Sequence, residues 1–177
     1  YDARPDERGI GALTHRLDFT RTIGGKAKLA AIFTEPFSDI GKILQVQSIL
    51  KLILEKENQW PLQITNGTVM VMEKFYETSV RDIPIEPDII KAWLYKIFNG
   101  PDYSVTRYSV THFADFLRGI HLMLNLVNVP HPPPMLEGLI ARARSLMKYR
   151  QIEQLVQEDP SRKMLPSRVL YYGRFLR

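Results

Sequence analysis

Between Pro160 and Arg177 the chain carries Arg162, Lys163, Arg168, Arg174 and Arg177 with no acid among them, so this stretch alone matches the net charge of +5. Tyr171, Tyr172 and Phe175 are interleaved with the last of these cations. Guanidinium and ammonium groups set among aromatic rings suit contact with a phosphate backbone or a stacked base. The same alternation describes an amphipathic helix with a basic solvent face and an aromatic face turned onto protein, and the pattern favours that packing role. Arg142, Arg144, Lys148 and Arg150, with Glu137 nearby, extend the basic character upstream.

Other chemistry is sparse. No Gly-x-x-x-x-Gly-Lys-Ser/Thr occurs, and Gly24-Gly25-Lys26 has the wrong spacing, so ATP binding through a P-loop is not expected of this chain. His15, His112, His121 and His131 are scattered; a helix would put His112 and His121 on opposite faces, which predicts no metal site. Cysteine is absent, which removes thiolate chemistry and disulfides and suits a reducing, cytoplasmic setting. Asp115 and Glu77 have no evident partner carboxylate to tune them. The expectation is therefore a chain without catalytic residues, metal or cofactor of its own.

The elements that must position these groups read as helices. At 177 residues, 45% apolar and 24% charged, the chain can bury a core, and no uncharged apolar run approaches the ~20 residues of a membrane span. After a charged lead-in over residues 1–9, threefold and fourfold apolar spacing predicts helices near 10–19, 25–34 and 38–57, the third capped by Ser38 and lying across the first two. Its stripe runs Ile40, Ile43, Leu44, Val46, Gln47, Leu50, Ile53 and Leu54, with one glutamine in the seam. Residues 64–80 hold β-branched Thr68, Val69 and Val71 but also a helical stripe; helix is preferred, because a lone strand would lack a partner. Further helices are expected over 86–99 and 104–128, the latter with Val110, Phe113, Phe116, Leu117, Ile120, Leu124 and Val127 on one side. Pro130-His131-Pro132-Pro133-Pro134 forms a stiff spacer, followed by helices over 135–158 and from 165 onward. The fold class is all-α, divided as 1–9 lead-in, 10–129 helical core, 130–134 spacer and 135–177 basic segment.

The most specific signal lies in the first of these helices and its exit, Leu17-Asp18-Phe19-Thr20-Arg21-Thr22-Ile23-Gly24-Gly25-Lys26-Ala27-Lys28-Leu29. Thr20 and Thr22 can cap the next helix through their hydroxyls, and Gly24-Gly25 permits a tight re-entry. This stretch resembles the opening of the core domain of the MutS family of DNA mismatch repair ATPases, which reads Leu-Asp-x-Thr-x-Thr-x-x-Gly-x-x-x-Leu. Leu17, Asp18, Thr20, Thr22, Gly25 and Leu29 fall at those positions, and Pro36, Phe37, Asp39 and Ile43 continue the register without a gap. One departure is Val46, where the family usually has arginine. The resemblance covers about residues 9–54.

The resemblance implies a multi-helix core piece of a larger protein. The parent would carry a C-terminal ATPase that binds ATP and magnesium and dimerises, and this chain would connect it to DNA-contacting parts. Leu17, Asp18, Thr20, Thr22, Gly25, Leu29, Pro36 and Asp39 would hold the corner between helices, without bond chemistry. DNA would be met weakly, through its backbone, by Arg162, Lys163, Arg168, Arg174 and Arg177. Phe75-Tyr76-Glu77 has the Phe-x-Glu form that the family uses to stack on a mismatched base, but it follows the core opening instead of preceding it. Phe75 and Tyr76 are expected in the core and Glu77 in solvent. The alternative is a stand-alone helical module that binds a protein partner beside the 104–128 helix.

Overall fold

The computed structural model describes residues 18, 20, 22–80, 83–85, 87–160 and 162–177. Among them every regular element is a helix and no strand occurs, which establishes the all-α class. The chain divides into two compact units, residues 1–55 and 56–177.

In the first unit α1 spans Ile23–Thr34 and α2 spans Ile40–Glu55. Asp39, not Ser38, caps α2: its Oδ1 accepts from Lys42 N at 2.9 Å while its carbonyl accepts from Ile43 N at 3.1 Å. An aspartate in this place satisfies an orphan amide and meets the positive end of the helix dipole. The expected stripe along α2 exists, but Ile40, Leu44, Leu50 and Leu54 are exposed and neither helix buries a residue. The expected helix near 10–19, across which α2 was to lie, falls outside the described residues.

The second unit is organised on one long helix. Following a 3-10 turn at Glu57–Gln59, α3 (Asn66–Glu77), α4 (Ile89–Phe98), α5 (Gly100–Leu126), α6 (Pro134–Met147), α7 (Arg150–Gln157) and α8 (Pro166–Phe175) follow in order. Helix α5 packs against all of the other five, and α8 also packs against α4 and α7. The ambiguous 64–80 stretch is helical: Thr65 caps α3 by accepting from Thr68 N at 3.2 Å, and Phe75 is buried against Phe113. The 135–158 stretch is two helices, since Tyr149 is extended (ψ 127°) and starts α7 afresh.

Two apolar clusters fill this unit. Phe75, Val110, Phe113, Ala114, Leu155 and Tyr172 form one, and Ile83, Ala92, Tyr95, Tyr103, Val169 and Leu170 form the other. Helix α8 enters both, so the basic C-terminal segment is part of the core. Its approach to α5 is close because Gly173 has no side chain: a Cβ there would lie 2.2 Å from Thr106 Cγ2.

Candidate functional site

The capping corner and the basic segment are the two places that the sequence singles out. At the corner, Thr22 is extended (φ −133°, ψ 150°) and its Oγ1 accepts from Gly25 N at 3.0 Å, closing the first turn of α1. Thr20 does not cap the helix. Its amide (3.1 Å) and hydroxyl both donate to Asp18 Oδ1, and Lys26 Nζ reaches Asp18 Oδ2 at 3.4 Å. The Thr20 hydroxyl and amide, with Lys26 beyond them, hold the Asp18 carboxyl below the usual carboxylate range. Asp18 is thus bonded both to the turn and to the helix that follows it.

Gly24 and Gly25 lie inside the first turn of α1, with no positive φ, so neither glycine is there for a left-handed turn. At Gly25 the space for a side chain is tight. A Cβ would sit 3.0 Å from Thr22 Oγ1 and 3.4 Å from Thr20 Cβ, against the oxygen that makes the cap. Leu29 is half-buried and Pro36 exposed, Asp39 caps α2, and Leu17 lies outside the described residues. Gly25→Val is expected to destabilise the first unit by about 1 kcal/mol, similar to Thr22→Ala. Because both act on one hydrogen bond, the double variant should cost less than the sum of the two in urea titrations followed by helical circular dichroism. Lys26→Ala, at an exposed ion pair, should change little.

The C-terminal cations are mostly engaged. Arg174 Nη1 donates to Ile83 O at 2.7 Å, and Arg177 donates to Val80 O (3.3 Å) and Thr78 O with its carbon 5.4 Å from the Phe75 ring centroid. These two arginines satisfy carbonyls of the connection that leaves α3. Arg168 Nη1 lies 2.7 Å from Glu158 Oε1, Arg162 Nε lies 3.4 Å from Asp159 Oδ2, and Lys163 is exposed. Arg162, Lys163 and Arg168 line an open cleft of about 480 Å³ together with Gln154, Gln157 and those two acids.

Glu158 joins three helices. Its Oε1 accepts from the buried Tyr172 hydroxyl at 3.0 Å as well as from Arg168. Its carbonyl, and that of Val156 (3.1 Å), accept from Arg118 of α5, whose Nη1 also lies 2.9 Å from Asp115 Oδ1. Arg118 therefore caps the C-terminal end of α7, an interaction across 38 to 40 residues that local spacing does not reveal.

Burial, followed by the Glu158 hydrogen bond and charge, pushes the Tyr172 phenol up to about 12. An unfolded tyrosine titrates near 10. The folded chain holds this proton more tightly, so the contribution is complete below about pH 10 and is lost as pH rises toward 12. Stability should fall by roughly 2–3 kcal/mol over that window. Tyr172→Phe should flatten this part of the pH–stability curve, read by denaturant unfolding at fixed pH steps.

The remaining sequence candidates sit apart from both places. Phe75 is 1% exposed and fills the core, whereas Tyr76 is 56% exposed, edge-on to Phe113, and is not a core residue; Glu77 pairs with Lys74 in solvent. Neighbouring positions on α3 point about 100° apart, so the two rings do not share one face. His112 packs its ring against Tyr108, and His121 and His131 are exposed; His15 lies outside the described residues. Among the described residues no cluster of histidines and acids could hold a metal ion, and no helix is long and apolar enough to cross a membrane. No protein-family model, curated protein or solved structure matches the chain.

Proposed function

We propose that this chain is the helical core of a MutS-like DNA repair protein, a connector that couples a nucleotide-driven partner domain to DNA without bond chemistry of its own. The observation that carries the reading is the corner. Asp18, Thr20, Thr22 and Gly25, spaced as in the family's core opening, form one interlocked turn in which each residue type has a distinct task. Within this proposal ATP and magnesium belong to a separate ATPase domain that also dimerises, DNA is met through its backbone, and the setting is cytoplasmic.

The test begins with the coding sequence beyond Arg177, where the reading expects a Gly-x-x-x-x-Gly-Lys-Ser/Thr motif. In the protein that includes it, ATP should change the rate of DNA release, and Gly25→Val should weaken that response while ATP hydrolysis continues. A reading frame without a P-loop, or an ATP response untouched by Gly25→Val, would remove the connector role.

A second reading, a helical module for a protein partner, is favoured by α4. Ile89, Ile90, Trp93, Leu94, Ile97 and Phe98 are all exposed, and at 100° per residue they cover half of the helix circumference. A face of that kind marks an interaction surface on a soluble domain.

A further inference from the structure

Charged groups on the surface of the second unit differ in whether a protein partner already holds them. Four of the five cations between Pro160 and Arg177 contact a carboxylate or a backbone carbonyl. The cations of α6 and the start of α7 are held less. Arg142, Lys148 and Arg150 are exposed and lie within 4 Å of no carboxylate oxygen among the described residues, and Arg144 donates only to the Asn128 side chain, at 2.6 Å.

The arrangement of these cations on α6 follows from which face is used for packing. Ile140 is buried and Leu136, Ala143 and Met147 are half-buried, so that side turns toward the unit's core. Around the outer side, helical geometry places Arg144 and Lys148 at one edge and Arg142 at the other, about 160° apart. Gly138, Ala141 and Ser145 lie between them, all exposed, and a Cβ at Gly138 would meet nothing within 4 Å. Small residues form a floor between these two rims of cations, and the exposed Glu137 shares the rim of Arg144 and Lys148, about 10 Å along the axis from Arg144. A strand of phosphates can approach such a floor closely and be contacted from two sides. Glu137 is the one acid of this helix.

We propose that the outer face of α6, with Arg142, Arg144 and Lys148 on its rims and Arg150 beyond its end, is the surface of this chain that meets the nucleic-acid phosphate backbone. The proposal rests on the reading of the chain as part of a DNA-binding protein and names the surface. It moves the contact from α8, where arginines tie the fold together, to α6, whose cations meet no carboxylate among the described residues. Contact of this kind is independent of base sequence.

The test is a fluorescence anisotropy titration of the full chain on a mixed-sequence DNA duplex of about two helical turns, at salt from about 50 to 200 mM. Wild type is expected to show log affinity falling with log salt at a slope of roughly −3 to −4. The triple variant Arg142→Gln, Arg144→Gln, Lys148→Gln should flatten it by about 2 to 3 units and weaken binding about tenfold or more at low salt. The double variant Arg142→Gln, Lys148→Gln, which leaves the Asn128 bond intact, should lose about 2 units. Arg162→Gln with Lys163→Gln, at the mouth of the cleft, should leave the slope within about half a unit of wild type. Circular dichroism confirms that each variant is folded. If wild type binds and the α6 variants keep its slope, the surface is wrong while DNA contact stands. No duplex binding by wild type at the lowest salt overturns this surface and the DNA-contact reading together. Binding by the same residues to phosphatidylserine–phosphatidylcholine vesicles, with none to duplex, overturns it in favour of an anionic lipid surface.

Discussion

Gly173→Val should unfold the second unit at markedly lower denaturant than wild type, with a loss of about 3 kcal/mol or more and a melting temperature lower by roughly 10 °C. The Cβ alone would fall 2.2 Å from Thr106 Cγ2, well inside contact distance. Thr106 has little freedom to yield: it is fully buried and its hydroxyl is bonded to Asp102 O at 2.8 Å. Helices α5 and α8 would have to separate, and α8 contributes Tyr172 to one apolar cluster and Val169 and Leu170 to the other. Gly173→Ala should already show most of the effect, because the clash begins at Cβ. Retention of wild-type stability by the alanine variant, in thermal and denaturant melts, would show that the two helices do not approach as described.

Arg118→Met is expected to cost about 3 kcal/mol, since it keeps the aliphatic packing of the side chain and removes only its donors. Carbonyls of Val156 and Glu158 at the end of α7 would lose their partner, and Asp115 its counter-charge. The arginine side chain is 19% exposed, so water replaces these bonds incompletely. Hydrogen exchange adds a local signature: amides of α7 should lose protection well before those of α3. Uniform loss of protection across the unit would mean that Arg118 supports the fold as a whole and not the end of α7 in particular.

Helices from residue 23 onward were legible because apolar spacing by threes and fours survives in a single sequence, even over 64–80, where Thr68, Val69 and Val71 argue locally for strand. Interruption of the 135–158 stretch was not legible. Lys148-Tyr149-Arg150-Gln151 contains no proline or glycine, so only the extended backbone of Tyr149 reveals it. Capping was read one residue early, since Ser38 and Asp39 are both good caps and only geometry chooses between them. Burial direction was harder still. Isoleucine, tryptophan and phenylalanine look like core in any sequence, yet the apolar arc of α4 is exposed, while Thr106 and Ser109 are buried.

At the candidate site, the sequence names residue types at the corner but does not report how they bond. Spacing suggested two capping threonines, whereas Thr20 bonds back to Asp18 and Thr22 alone caps α1. Among the basic residues, sequence reports charge but not whether a carbonyl or carboxylate already holds it. Arg174 and Arg177 are used within the fold by partners at Thr78, Val80 and Ile83, which no local pattern foretells.

Those same contacts join parts of the chain 91 to 99 residues apart, and they set an order of events during synthesis. At about 5–20 residues per second, α3 and α5 leave the ribosome several seconds before α8 does. In that interval Ile83, Ala92, Tyr95 and Tyr103 have no Val169 or Leu170 to pack against. The nascent chain therefore carries a half-built core, sticky and open, until α8 emerges. A ribosome stalled before Pro166 should hold a chain that chaperones bind and proteases cut, and emergence of α8 should end both at once.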